Sequence, residues 1–237
     1  MVIAIIGAGG KTTALYCLGD RLFAMGRRVL LTTTTRIYRP DDAPLYLGPP
    51  EQLEPKAALM AAAADMADAC KLAGYSASDI GVIASLGLFD DILVEADGAA
   101  RKPIKSPNDT EPVYPQPVDL VIGVIGLDAL GQPATEEYVH RLPLFTSVTG
   151  VSEGEPIAAE HIIALIGHEN GLFRHAPVNV PRIVFLNKYD TIDESARKHA
   201  EEIVQNSPYP ALLTGYGMDW PEEFIRRFMP NQPSKGE

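Results

Sequence analysis

Lys11 and the hydroxyls of Thr12 and Thr13 stand directly behind a glycine turn, Gly7-Ala8-Gly9-Gly10, and that order of residue types suits phosphate chemistry. A chain without Cβ atoms can turn tightly and aim its N–H groups at an anion. A helix opening at once behind the turn adds unpaired amides and the positive end of its dipole. In that setting Gly7 to Thr13 would cradle the phosphates, Lys11 would reach the outer ones, and the Thr12 hydroxyl would sit on magnesium. Glu95 and Asp97 close a second apolar run and alternate along extended chain, so both point to one side. Carboxylates so placed hold magnesium directly or through water and orient an attacking water. Lys11, Glu95, Asp97 and Arg101 are therefore the catalytic candidates, and Thr12, Thr33, Glu95 and Asp97 the magnesium ligands. For Glu95 and Asp97 the plainer alternative is a solvated strand end.

Two further groups could carry recognition. Arg101, Lys102 and Lys105 concentrate positive charge just after the carboxylates, and with His140 they could hold a second anionic ligand. A surface salt-bridge cluster with Asp109 and Glu111 is the plainer alternative. Asn187-Lys188-Tyr189-Asp190 follows another apolar run and resembles the N-K-x-D element of G proteins. A carboxylate there pairs with two adjacent N–H donors of guanine, and adenine offers no such pair. Asn187, Lys188 and Asp190 are thus the base-binding candidates, with Asn187 tying their loop to the phosphate loop and Thr214-Gly215-Tyr216 as a second loop around the base. Asp190 could equally cap the helix that follows.

These residues need elements to hold them. Val2 to Ile6 is an unbroken β-branched run suited to a central strand, and Leu15, Leu18, Leu22 and Met25 mark a helix stopped by Gly26. Val29 to Leu31 predicts a second strand running into Thr32 to Thr35, which either sit near the phosphates or simply favour extended chain. Arg36 to Pro50 reads as a surface loop, and the alanine-rich Lys56 to Leu72 as an amphipathic helix. Strands follow at Asp91 to Val94, Val118 to Ile125, Pro181 to Leu186 and Tyr209 to Leu213. Helices are expected at Thr135 to Arg141, from about Pro156 onward, and at Ile192 to Val204. Alternating strands and helices imply an α/β fold with a doubly wound, mostly parallel sheet flanked by helices. The expected organisation is a single nucleotide-binding domain over 1–230, with a helical lobe around 134–172 and a disordered tail at 231–237.

With 237 residues, 46% hydrophobic and 22% charged, the chain can bury a sizeable core. A formal net charge of −11 argues against a general nucleic-acid binder, which needs a basic face. No apolar run approaches the roughly 18 residues of a membrane span. The N-terminal apolar stretch lacks a charged leader and is better used as a strand. Cys17 and Cys70 do not resemble a disulfide framework or a metal quartet and read as buried thiols of a cytoplasmic protein.

The glycine loop reads G-x-x-G-K-T, with Ile5 where the Walker A pattern would place its first glycine, and its spacing resembles the G-T-N-G-K-T-T loop of the Mur ligases. That resemblance implies a P-loop NTPase-like fold. Taken together, G-A-G-G-K-T-T at 7–13, L-L-T-T-T-T at 30–35, V-E-A-D-G-A-A-R-K-P-I-K at 94–105, E-P-V-Y-P at 111–115, V-H-R at 139–141 and L-N-K-Y-D at 186–190 resemble the YqeC family. The resemblance implies an accessory factor of selenium-dependent molybdenum hydroxylases, whose client would be such an enzyme or its cofactor. Residues and resemblance together lead to magnesium-dependent binding of a purine nucleoside triphosphate, GTP favoured over ATP, with hydrolysis. An ATP-dependent kinase or Mur-like ligase acting on a small anion is the alternative, as is a nucleotide-gated binding module with negligible turnover. No oligomeric state is assigned.

Overall fold

Every strand pairing in the main sheet is parallel, and the elements that build it follow one another along the chain. They were traced in a computed structural model that describes residues 1–40 and 43–229. The tail expected at 231–237 lies outside the described residues. The chain runs β1 Val2–Gly7, α1 Lys11–Ala24, β2 Val29–Thr33, β3 Arg36–Tyr38, β4 Leu45–Leu47, β5 Leu59–Ala63, β6 Asp65–Met66 and β7 Lys71–Ala73. It continues α2 Ala77–Ser85, β8 Asp91–Glu95, β9 Ile104–Lys105, β10 Leu120–Gly126, β11 Val139–His140, α3 Leu142–Thr149 and α4 Ala159–Gly167. β12 Arg182–Asn187, α5 Glu194–Asn206, β13 Ala211–Leu213 and α6 Trp220–Phe228 complete it. The main sheet has eight strands in the order β13-β12-β10-β1-β8-β2-β5-β4.

β1 is buried on both faces, as its β-branched run requires, and its neighbours are β10 and β8. Because successive side chains point to opposite faces, Ile3 and Ile5 pack with Leu15, Leu18 and Leu22 of α1 and Phe224 of α6. Ala4 and Ile6 face the other way, into a cluster with Phe145 of α3, Ile162 and Leu165 of α4, and Ala200 of α5. The helical stretch within 134–172 therefore shares one apolar layer with the sheet. α2, on a third cluster with Leu30, Met60 and Val94, starts in a reciprocal cap between Ser76 and Asp79. α5 is capped by Asp193, whose carboxylate accepts the Ala196 N–H at 2.8 Å, so Asp190 is not the cap of that helix.

Four sequence readings are corrected. The Lys56-to-Leu72 helix is instead β5 and the β6–β7 hairpin. Met60 to Ala63 are buried without alternation because β5 lies between β2 and β4 with both faces covered. Such a run cannot be told from a buried helix by periodicity. Asp68 closes the turn that follows by accepting the Cys70 and Lys71 N–H groups at 2.8 and 2.9 Å. This leaves Cys70 exposed and Cys17 only half-buried, against the buried thiols expected. The 36–50 loop contributes two strands: β4 extends the main sheet, and β3 pairs antiparallel with β7. The Thr135-to-Arg141 helix is instead a turn leading into β11, which pairs with β9. Among the described residues no helix is long and apolar enough to cross a membrane.

Candidate functional site

The carboxyl ends of β1, β8 and β2 converge on a cleft of about 830 Å³, the place where open α/β sheets bind ligands. Its charged lining is Lys11, Arg36, Lys71, Arg101, Lys102 and Lys188 against Glu95 and Glu111. A predominantly basic cleft in a chain of formal charge −11 is a local inversion of sign.

The glycine loop is held tightly to its neighbours. Gly7 has φ 96°, and a Cβ there would lie 2.2 Å from the Val124 carbonyl oxygen. Gly10 has φ 128°, and a Cβ there would lie 2.1 Å from Asn187 Nδ2. Neither position tolerates a side chain. The N–H groups of Ala8 and Gly9 donate to the carbonyls of Val124 and Lys102 at 2.8 and 3.1 Å, and that of Gly7 donates to Asp97 Oδ2 at 2.9 Å. Gly7, Ala8 and Gly9 thus shape the loop with their amides committed to the protein. The donors open to an anion are the first amides of α1, at Gly10, Lys11, Thr12 and Thr13, where no side chain caps the helix.

Beneath them lies a buried relay of charge. Lys11, 5% exposed, donates to the Gly7 carbonyl at 2.8 Å and lies 3.2 Å from Asp97 Oδ1 and 3.7 Å from Glu95 Oε1. Asp97, fully buried, also pairs with Lys105 at 2.6 Å. Lys105 is 2% exposed, donates to the Gly98 carbonyl at 2.7 Å and approaches Glu111 at 3.6 Å. Glu111 in turn accepts from Arg141 at 2.5 Å. Burial pushes the Glu95 carboxyl up from its ordinary value, opposed by the Lys11 charge and by the Thr12 hydroxyl, which donates to Glu95 Oε2 at 2.7 Å. Burial likewise pushes the Lys105 ammonium down, opposed by Asp97.

The donor set fits magnesium in one way. Among the described residues no three His, Cys, Asp or Glu side chains gather to hold a metal by themselves. Thr12 Oγ1 and Glu95 Oε2 provide two neighbouring oxygens at the cleft, which suits a cation that completes its octahedron with phosphate and water. Asp97 does not join them, since both its oxygens face buried lysines. Thr33, expected as a ligand, is fully buried and donates to the Glu95 carbonyl at 2.7 Å.

The second-anion set divides. Arg101 and Lys102 line the cleft; Lys105 lies beneath it and His140 outside it. Lys102 points its ammonium at the Glu136 and Val139 carbonyls. His140, on β11, is pushed down to about 4 by burial and by Arg141, Lys105 and Lys102, so it is neutral at pH 7 and offers no positive charge. Asp109, placed by the sequence beside the basic loop, pairs with Arg174 instead.

At the other end, Asn187 Nδ2 donates to the Gly9 carbonyl at 2.8 Å, and its Oδ1 accepts the Thr214 hydroxyl at 3.0 Å. The 187–190 loop is thereby tied both to the phosphate loop and to the 214–216 loop. Lys188, at φ 66°, pairs with Asp128 at 2.6 Å, and exposed Asp190 accepts the Tyr216 N–H at 3.1 Å on one oxygen. Tyr38 and Lys71, which also line the cleft, carried no sequence signal. They reach it only because β3 pairs with β7 of the β6–β7 hairpin, where a loop and a helix were expected. Arg36 follows the β2 threonines directly, and that position was the one available clue.

Residues 3–143 match the family described as YqeC protein. The protein YqeC of Escherichia coli strain K12 is 31% identical over 235 residues, covering 96% of this chain and 91% of that one. Among solved structures, a chain of the MinC:MinD cell division protein complex of Aquifex aeolicus superposes with a TM-score of 0.52 over 95% of this chain and 85% of that chain. At 15% identity that likeness is one of fold alone.

Proposed function

This chain belongs to the YqeC family, and we propose that it binds and hydrolyses a purine nucleoside triphosphate with magnesium, GTP in preference to ATP. The observation that carries the reading is the meeting, at the uncapped start of α1, of open amides, the Lys11 ammonium and the Thr12–Glu95 oxygen pair. The amides and Lys11 would bind the β- and γ-phosphates, Lys11 exchanging its carboxylate partners for phosphate oxygens. Thr12 and Glu95 would hold magnesium, which supplies charge neutralisation to the transferring phosphoryl group. Arg101, exposed at the cleft, would add positive charge on the terminal phosphate. Asp97 acts through Lys11 and the Gly7 amide and so positions the loop.

Base choice rests on the 187–190 loop. The Asn187 bridge supports placing the base beside that loop, and Asp190 keeps one carboxylate oxygen without a partner among the described residues. Guanine would offer two N–H donors to that carboxylate, where adenine would leave it against an acceptor. The mismatch costs about 1–3 kcal/mol, roughly tenfold to a hundredfold in affinity. A role as accessory factor in molybdenum hydroxylase maturation rests on the family resemblance. Calorimetric titration of GTP and ATP with magnesium, against wild type and Asp190→Asn, tests the reading, together with phosphate release. Tighter GTP binding that collapses to parity in Asp190→Asn is expected. Equal binding of the two nucleotides by wild type removes the guanine assignment, and no binding of either removes the nucleotide reading.

A further inference from the structure

We propose that the cleft contains a second subsite, built by Arg36, Lys71 and Arg101 around Tyr38, for a small molecule carrying phosphate or carboxylate groups. These three cations line the same cleft as the phosphate loop, and none of them is paired with a carboxylate among the described residues. Several basic side chains elsewhere do hold an acidic partner, among them Arg21, Arg27, Arg28, Arg141, Arg174 and Arg227. With 31 acidic residues against 20 lysines and arginines, carboxylates are in surplus. Glu95 and Glu111 line the same cleft, yet among the described residues neither pairs with these three cations, whose charge is therefore open to a ligand.

Tyr38 explains how the cations stay in place. The Lys71 ammonium lies 4.9 Å from the centroid of its ring and the Arg101 guanidinium 5.1 Å, and Arg101 also donates to its hydroxyl. An aromatic face attracts a cation through its quadrupole and leaves the charge intact, where a carboxylate would cancel it. Tyr38 and Lys71 are directly opposed in the β3–β7 pairing, so the register itself sets one of the two contacts. Arg101 is delivered by a strained turn, with Ala100 at φ 48° and Arg101 at φ 63°. Non-glycine residues keep such angles where the surroundings enforce them, often at ligand sites.

Sheet order then gives the subsite its neighbour. The 187–190 loop follows β12 on one side of β1, whereas β8 and β2, which lead to Arg101 and Arg36, lie on the other. A triphosphate with its base at the β12 side would direct its terminal phosphate toward Glu95 and this basic wall. Only that adjacency rests on the nucleotide reading; the subsite itself does not.

The test titrates inorganic phosphate, and separately malonate, into protein saturated with magnesium and a non-hydrolysable GTP analogue, by calorimetry. One further equivalent should bind to wild type. Its affinity should fall about tenfold to a hundredfold in Arg36→Gln/Lys71→Met, with analogue affinity held within about twofold. Tighter phosphate than malonate identifies a phosphate ester as the natural ligand, and the reverse order a carboxylic acid. No further equivalent, or one indifferent to the double substitution, overturns the subsite. Should wild type bind no nucleotide, the same titration into Lys11→Ala, with its phosphate loop disabled, still decides the subsite alone.

Discussion

Replacing Lys11 with alanine should destabilise the empty protein as well as weaken nucleotide binding. A phosphate-loop lysine open to solvent would leave the core untouched when removed, but this one is 5% exposed and lies between two buried carboxylates. Taking one partner from a buried ion pair costs about 3–5 kcal/mol. Lys105 remains 2.6 Å from Asp97 and offsets part of that loss, so the low end, about 3 kcal/mol, is expected. The whole domain holds about 5–15 kcal/mol, and the variant should still fold. Urea unfolding followed by Trp220 fluorescence is the assay, since this single tryptophan is 6% exposed and packs edge-on against Phe185 at 5.1 Å. With an m-value of about 3 kcal/mol/M the midpoint should drop by about 1 M. The loss should also depend on pH. Glu95 already titrates above its ordinary value, so the folded state takes up a proton more readily than the unfolded chain. Such a group favours folding at low pH and disfavours it as pH rises through the folded value. Without Lys11 that imbalance grows, so the deficit should be largest where Glu95 is ionised and shrink as pH falls toward the ordinary carboxylate range. Adding Glu95→Gln to Lys11→Ala should restore part of the stability, since the orphaned charge is gone. A variant within about 0.5 kcal/mol of wild type, or a deficit unchanged over that fall in pH, would refute the reasoning.

Glu95→Gln alone should weaken magnesium-dependent nucleotide binding far more than magnesium-free binding, because the amide keeps the shape and loses the charge the cation needs; equal losses in titrations with and without magnesium would count against Glu95 as its ligand. His140 titrates near 4 when folded against an ordinary 6.5, so it contributes stability that is complete above pH 6.5 and lost as pH falls through 4. Unfolding curves across that interval should therefore fall less steeply for His140→Gln than for wild type, and parallel curves would remove His140 as the source.

The parts of the fold legible in advance are those where local chemistry and tertiary demand agree. Val2 to Ile6 is β-branched and ends in glycines, and no helix competes for it. Leu59 to Ala64 is the opposite case. Alanine is the best helix former, and a strand covered on both faces shows no alternation that could argue back. What settles it is the register of Leu30 against Met60 and of Leu45 against Ala61, a pairing made by residues far apart in the chain. Once β5 is a strand, the hairpin behind it carries Lys71 to Tyr38, and a wall of the cleft appears that neither segment advertised.

Site residues follow the same division, because spacing reports which groups come near one another and not what they spend their charge on. Lys11, Lys102 and Lys105 are one residue type read from two conspicuous motifs, yet they end in three different situations. Lys105 is sealed against Asp97, Lys102 is turned to backbone carbonyls, and Lys11 lies at the cleft with Asp97 and Glu95. The difference matters for how a phosphate could be received. If Asp97 had Lys11 as its sole cation, moving that ammonium onto a ligand would strand a fully buried carboxylate. With Lys105 at 2.6 Å on its other oxygen, Asp97 stays paired whether Lys11 faces it or faces the cleft. A lysine that reads in sequence as a ligand for an anion thus contributes by keeping Lys11 able to act as one.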